Sequence, residues 1–276
     1  MRLAALQMVS TADLEANLKQ AEMLVGQAAE QGAELVLLPE NFALLESAAM
    51  LALAQSESQQ QRVMHALENW SRQYSIYLIA GSFPVICRPD GSRLEQRVRA
   101  RCLVFDPRGQ LLTSYDKIHL FDVDVADAHG RYRESDLIEA GDQLVVVSLP
   151  DCTLGLSICY DLRFPAMYQR LRDLGADLLL MPAAFTYTTG EAHWESLIRA
   201  RAIENQCYLL AANQGGQHNA TRRTWGHSMV VDPWGRVLAE QTEEGPGVVV
   251  ADFQSELVRR CRAEMPVQSH RETAGF

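Results

Sequence analysis

The sequence predicts an α/β protein, a single layered domain over residues 1–276, and three observations carry that reading. Strand-like apolar runs and helix-period segments alternate from one end of the 276 residues to the other, the pattern of sheets layered with helices. Hydrophobic residues make up 47% of the chain, enough for a substantial core. No Ser/Gly/Pro-rich linker, low-complexity tract or repeat divides it, which favours one large domain over two small ones.

RLAALQM reads as the first strand. A helix follows from about Asp13 to Gln31, with Leu14, Leu18, Ala21, Leu24 and Val25 at helical spacing, and Gly32 stops it. ELVLLP is a continuous apolar strand of the kind buried on both faces. Glu40 falls just past its C-terminal end, where open α/β sheets bind ligands. A second helix covers Gln59 to Tyr74, and IYLIAG is another buried strand. RVRARCLVFD and QLLTSY form a hairpin turning at Pro-Arg-Gly, with Lys117 directly after it. The stretch from Phe121 to Gly141 is charged and without period, so it reads as a loop, and loops of that length are usually functional.

LVVVSLP and TLGLSIC are two further strands. The helix after Pro165 ends near Gly175, ADLLLMPAAF is a buried strand, and His193 to Asn205 form an amphipathic helix. CYLLAAN is a strand, and TWGHSMVVDPWGRVLAE is a hairpin turning at Asp232-Pro233-Trp234-Gly235. GVVVADF is the final strand, and a helix and tail from about residue 254 finish the chain.

The net charge of -10 and a pI near 5.2 argue against nucleic acid as the main partner, because phosphate binding needs a basic surface. No apolar run is long enough to span a bilayer, and MRLAALQMVS lacks the apolar core and cleavage site of a signal peptide. Six cysteines are scattered with no CxxC and no close Cys/His spacing. That argues against zinc and against a disulfide framework, and for a reducing cytoplasm.

The chemistry concentrates in LGLSICYDLRFP. Cys159 ends an apolar strand and starts a sharp turn into the next helix, where amide hydrogens and the helix dipole favour a thiolate and stabilise an oxyanion. Opening an amide needs a nucleophile, a base, an acid for the departing nitrogen and a donor for the tetrahedral oxygen. Cys159, Glu40, Lys117 and the backbone N–H of Tyr160 could supply these. Keeping Lys117 charged in a pocket calls for carboxylates, with Glu40 and Glu134 as candidates. Each also has a plainer role. Cys159 could be an inert core thiol, as Cys102 and Cys207 are read here, and Lys117 a surface partner of Asp116 or Asp122. What links the three is that all follow strands at the same end of a parallel sheet.

The segments LLPENF, YDKIHLFDVD and SICYDLRFP resemble the three motif regions of the nitrilase superfamily of carbon–nitrogen hydrolases. PAAFTYTTGEAHWESLIRARAIENQCYLLAANQ and GHSMVVDPWG extend the resemblance over nearly the whole chain. It implies a four-layer α-β-β-α sandwich with no metal and no organic cofactor. It also implies Glu40 as general base, Lys117 as oxyanion stabiliser, Cys159 as nucleophile and Glu134, in RYRES, as the glutamate that orients them. The chain is most similar to the amidase branch, and within it to amidases of deaminated glutathione. One departure is DVADAHGRYRES, where many relatives carry a Val-Pro-Gly-like turn, so the loop bearing Glu134 is expected to take its own path.

A small keto-acid amide is the substrate this resemblance implies, cleaved through a thioester to 2-oxoglutarate and Cys-Gly in the case of deaminated glutathione. Its carboxylate suits a guanidinium fork. Arg163 is the first candidate, against the alternative that it pairs with Asp161 or a helix neighbour. Arg131 and Arg133 could reach a more distant peptide carboxylate. Phe185 is expected as a pocket wall and Thr189 as a polar contact, against a simple loop with a threonine near the N-cap. His193 and Trp194 read as packing residues, His119 and His227 as structural, and Arg199 and Arg201 as ion-pair partners of Glu195 and Glu204. Alternatives are an ω-amidase on 2-oxoglutaramate, another small-amide or N-carbamoyl hydrolase, and a silent scaffold with a redox-sensitive thiol. Relatives usually pair, so a homodimer is expected. Its contacts would come from the tail and from the helix bearing Trp194, Leu197 and Ile198, unless that side is buried on its own sheet.

Overall fold

Side-chain alternation along the first strands sorts the core into layers. The computed structural model describes residues 1–125 and 130–273. The chain begins with β1 (Arg2–Gln7), α1 (Leu14–Glu30), β2 (Leu35–Leu37), α2 (Ser47–Gln55), α3 (Glu57–Tyr74), β3 (Tyr77–Ile79) and β4 (Phe83–Val85). A hairpin of β5 (Arg99–Phe105) and β6 (Leu111–Asp116) follows, then the short pair β7 (Asp122–Asp124) and β8 (Arg131–Arg133). Next come β9 (Val146–Ser148), β10 (Thr153–Leu156), α4 (Pro165–Asp173), β11 (Leu178–Ala183), α5 (Tyr187–Asn205) and β12 (Tyr208–Asn213). The rest is β13 (Gly215–Gln217), β14 (Arg223–Trp225), β15 (Met229–Val231), β16 (Val237–Glu240), β17 (Gly247–Asp252), α6 (Ser255–Glu264) and α7 (Val267–Thr273).

One sheet has the order β17-β1-β2-β3-β5-β4, with β6 on β5; the other has the order β16-β15-β12-β11-β10-β9. On the first, Leu3, Ala5, Leu35, Leu37, Ile79 and Val104 point to the second sheet's core. Their neighbours Ala4, Leu6, Val36, Leu78 and Leu103 point the other way, onto Leu18, Leu24, Val25, Val63, Leu67 and Trp70 of α1 and α3. The second sheet is covered on its far side by α4 and α5 through Tyr168, Leu171, Trp194 and Ile198. This is the expected α-β-β-α sandwich, and each fully buried Leu or Val in it contributes about 1.5–3 kcal/mol.

Both sheets are mixed, not purely parallel. In the first, β1, β2 and β3 run parallel, β5 reverses, and β6 reverses again. A parallel bridge between Met8 and Gln214 aligns the two sheets, so the strands leading to Glu40, Lys117 and Cys159 end on one side of the molecule. The expectation of a shared end holds, but two sheets supply it.

Capping sets the helix limits. Asp13 accepts from the amides of Glu15 and Ala16 at 3.0 and 3.1 Å and starts α1. Thr186 caps α5 and accepts from the Thr189 amide at 3.4 Å, so that helix begins at Tyr187 and not at His193. Its end at Gln206 is left-handed, φ 52°, and the Gln206 amide group donates to Cys261 and Met265 carbonyls at 3.0 and 2.7 Å. That binds the C-terminal segment to this chain's own core. Trp194 and Ile198 are fully buried, so the side of α5 considered for a dimer faces its own sheet.

Several elements depart from the sequence reading. SAAMLALAQ forms α2, hidden because its apolar residues are nearly continuous and show no period. Within the stretch from Phe121 to Gly141, three-residue strands β7 and β8 pair antiparallel, Asp122 with Arg133, followed by a 3-10 turn at Glu134–Asp136. β13 and β14 form a further ribbon. Residues 126–129 of the divergent loop and 274–276 of the tail lie outside the described residues. No described helix is long and apolar enough to cross a membrane.

Candidate active site

Glu40 leaves β2 through a crowded corner. Gly81, at φ 46°, passes so close that a Cβ there would lie 1.9 Å from the Pro39 carbonyl oxygen, so only glycine fits. Asn41 is itself left-handed at φ 57°, with its amide donating to Ser82 Oγ at 3.1 Å. The Glu40 carbonyl accepts from Gln214 Nε2 at 3.0 Å. The second sheet thereby holds the first sheet's carboxylate in place.

Lys117 follows β6, and its backbone is fixed on both sides, by Ala100 and Gly141 at 3.0 and 2.8 Å. Its side chain is 1% exposed. Nζ donates to Glu40 Oε1 at 2.9 Å and to both Glu134 oxygens at 2.7 and 2.9 Å. Glu134 is held by the Phe121 amide at 2.6 Å. Burial opposes the ammonium charge, but Glu134, Glu40 and the Cys159 sulfur outweigh it and hold the Lys117 pKa well above the usual lysine value. Burial and the neighbouring Glu40 push Glu134 up, against the pull of Lys117.

Cys159 opens a 3-10 turn, Cys159–Arg163, at φ 48°, a left-handed conformation that is strained for a side chain with a Cβ. Asp161, fully buried, locks the turn. Its carboxylate accepts from the Ile158 amide at 2.8 Å, the Tyr115 hydroxyl at 2.7 Å and the His119 amide at 3.0 Å, and it meets His119 Nδ1 at 2.7 Å. Tyr115 and His119 flank Lys117 in sequence, so one buried carboxylate joins the lysine's strand to the cysteine's turn. His119 also stacks on Phe164 with ring centroids 3.6 Å apart. It is structural, as expected, and so is His227, paired with Glu240 at 2.6 Å.

The sulfur is not poised as a thiolate. Burial, then the Glu40 carboxylate, raise the Cys159 pKa well above that of a free thiol. Lys117 and a hydrogen bond from the Ala184 amide act the other way and do not prevail. The five-residue 3-10 turn has too few aligned peptides to supply the dipole that the sequence suggested. Burial and the Glu40 charge both favour the thiol over the thiolate, so attack calls for a base, and Glu40 is the carboxylate beside the sulfur. Cys207, pushed up to about 11 by burial, and buried Cys102 lie in the strand core away from this cavity, as read.

Glu40, Lys117, Glu134 and Cys159 line one cavity of about 570 Å³, together with Tyr160, Arg163, Phe185, Thr189, Arg131 and Arg133. Cys159 retains 8% exposure, so the sulfur opens onto that space and is not sealed in the core. Arg163 does not pair with Asp161, whose oxygens are taken. Its guanidinium lies 5.4 Å from the Phe185 ring centroid and 3.3 Å from His193 Nδ1. His193 is exposed and not a packing residue, whereas Trp194 is buried against Phe185, with centroids 4.8 Å apart. Arg133 is committed to the β7–β8 ribbon, donating to the Val123 and Tyr132 carbonyls at 3.0 and 2.6 Å and pairing with Asp124 at 3.0 Å. That use leaves Arg131 as the more available of the two. Thr189 shares its hydroxyl with Thr186 at 2.9 Å. Arg199 and Arg201 pair with Glu195 and Glu204 at 3.1 and 2.9 Å.

Two contributors escaped sequence reasoning. The Ala184 amide that reaches Cys159 is a backbone group with no side-chain signal. Arg222 lines the cavity from a ribbon whose strands are too short to read.

The carbon-nitrogen hydrolase family model matches residues 2–263. The chain belongs to that family. Among relatives of this carbon–nitrogen hydrolase, the deaminated glutathione amidase of Yersinia enterocolitica is 43% identical over 97% of this chain and 91% of its own length. The C. elegans NitFhit protein superposes with TM-score 0.89 at 38% identity, covering 100% of this chain and 66% of that one. A variant of the amidase from Nesterenkonia sp. AN1, in which acrylamide has added to the active-site cysteine, superposes at 0.78 with 29% identity over 99% of both chains. The nitrilase-superfamily resemblance read from the three motifs therefore holds at the level of sequence and of fold.

Proposed function

We propose that this carbon–nitrogen hydrolase is an amidase using Glu40, Lys117 and Cys159, with deaminated glutathione as its substrate. The observation that carries the catalytic reading is the convergence of sulfur, ammonium and carboxylate on one open cavity. Glu40 takes the thiol proton as sulfur attacks the amide carbonyl. The oxygen that becomes anionic is met by the Lys117 ammonium and the Tyr160 N–H, charge stabilised inside a site of low dielectric. Collapse breaks the C–N bond, Glu40 returns its proton to the leaving amine, and an acyl thioester remains on Cys159. Water then gives a proton to Glu40 as its oxygen bonds to the thioester carbonyl carbon; the C–S bond breaks, the acid product leaves, and Glu40 returns the proton to the sulfur, restoring the thiol. Glu134 keeps Lys117 charged and aimed.

The named activity of the Yersinia relative supports the substrate, as does a cavity in the usual size range for a small ligand. Arg163 beside Phe185 fits the keto-acid carboxylate. Incubation with deaminated glutathione is expected to release 2-oxoglutarate, with an acyl adduct on intact protein that Cys159→Ala abolishes. Brisk cleavage of 2-oxoglutaramate without turnover of deaminated glutathione would move the assignment to an ω-amidase. No adduct and no turnover of either would leave a binding scaffold.

A further inference from the structure

Cations outnumber their partners at the outer end of this cavity. Most arginines in the chain are matched: Arg133 by Asp124 and Arg223 by Glu244. Arg222 lines the cavity, forms no ion pair with any described residue, and has its Nε buried without a hydrogen-bond partner. The residue is half-buried, and in a protein of net charge -10 a cation with a buried, unmatched N–H and no carboxylate beside it is suited to be completed by an anionic ligand.

The backbone beneath it is fixed while the side chain is left over. The Arg222 amide donates to Asn219 Oδ1 at 2.9 Å, and its carbonyl accepts from the His218 amide at 2.9 Å. His218 is buried between the Ser10 carbonyl and the Thr224 hydroxyl, at 2.7 and 2.6 Å, and burial lowers its pKa to about 4. At neutral pH it is an uncharged brace and offers no counter-charge. The next residue, Arg223, turns instead onto Tyr187, 3.9 Å from the ring centroid.

Register places Arg222 away from the sulfur. The Trp225 amide bonds the Phe185 carbonyl at 3.0 Å, and Thr224 bridges Thr186 in antiparallel sense. Phe185 adjoins Ala184, whose amide reaches Cys159. Going back along the ribbon from Trp225 to Arg222 covers three residues, roughly 10 Å of extended chain. A two-residue leaving group spans about 7 Å from its amine to its terminal carboxylate, which is the right scale to bring that carboxylate to Arg222.

We propose that Arg222 binds the terminal carboxylate of a dipeptide-like leaving group, while Arg163 serves the acyl side. This rests on the amidase reading above and assigns that substrate's second anion. The test compares three amides: deaminated glutathione, the same compound with its terminal carboxylate capped as a carboxamide, and 2-oxoglutaramate, which has no peptide portion. Arg222→Gln is expected to raise KM for the free acid about 10- to 100-fold, the loss of one charged hydrogen-bonded pair, with kcat little changed. The capped compound and 2-oxoglutaramate should keep their KM within about two-fold, and Arg222→Lys should recover part of the free-acid affinity. Equal KM changes for all three compounds, or none for the free acid, would overturn the assignment. So would a wild-type enzyme that cleaves 2-oxoglutaramate yet treats free and capped compounds alike, which would leave the amidase reading standing. A wild type inert toward all three would remove that reading and this subsite with it.

Discussion

Two charge clusters are built from the same kinds of side chain in opposite proportions. At Lys117 one ammonium sits between two carboxylates, Glu40 and Glu134, at 2.9 and 2.7 Å. At Glu139 one carboxylate sits among three guanidiniums, Arg88, Arg97 and Arg99, at 2.7, 3.2 and 2.5 Å. The first borders the cavity and the second does not. Where acids are in excess, burial and like charge raise Glu134. Where bases are in excess, the Arg88 hydrogen bond leads in lowering Glu139 to about 2. Only the first cluster places carboxylates in the cavity that Cys159 lines. The second is a clamp that stays ionised and ties the segment after Glu134 to β5.

The largest expected effect comes from removing the sole cation of the first cluster. Lys117→Met should lower kcat by about 10³-fold or more and cost roughly 3–5 kcal/mol of stability, because two buried carboxylates lose their partner. Steady-state kinetics and urea unfolding measure both; near-normal kcat would break the distinction between the clusters. Next comes the pH response of the clamp. Glu139 has a folded pKa below its unfolded one, so its stabilisation is fully present above the unfolded carboxylate value. It is lost as pH falls from about 4.5 toward 2. Glu139→Gln should therefore unfold about 2 kcal/mol more easily at pH 7, with the difference from wild type shrinking across that acid window while kcat is retained. A gap that persists unchanged at pH 2 would refute the charge basis. The smallest effect is expected at the rim: Arg97 is 46% exposed, so Arg97→Ala should cost under about 1 kcal/mol by the same unfolding assay.

The central site was legible because its parts sit in contiguous segments. Glu40 and Cys159 follow buried apolar runs and Lys117 follows the second strand of a hairpin whose turn is marked by Pro-Arg-Gly, and strand length and turn residues make such segments visible. Glu134 was not readable that way. Charge balance at Lys117 made it a candidate and the resemblance implied its role; the β7–β8 ribbon itself is charged, three residues per strand and without alternation. Arg133 shows the limit of composition. It had the right type and neighbourhood for a substrate, yet its guanidinium is spent on Val123, Tyr132 and Asp124. Arg222 shows the converse, since nothing in HNATRRTW separates it from Arg223, which the fold pairs with Glu244.

Hydropathy and residue spacing were enough to settle the layered α/β class and the order of most elements, because burial periodicity is a local property of a chain; they offered Glu40, Lys117 and Cys159 only as candidates, whose roles the family resemblance implied. Long-range packing decided the rest. It drew the strands ending at Glu40, Lys117 and Cys159 from two mixed sheets and fastened them through Asp161. It also buried the sulfur beside a carboxylate, and both raise its pKa. Which arginines keep a free guanidinium was settled there too, since a side chain's partners depend on segments brought near it only by folding.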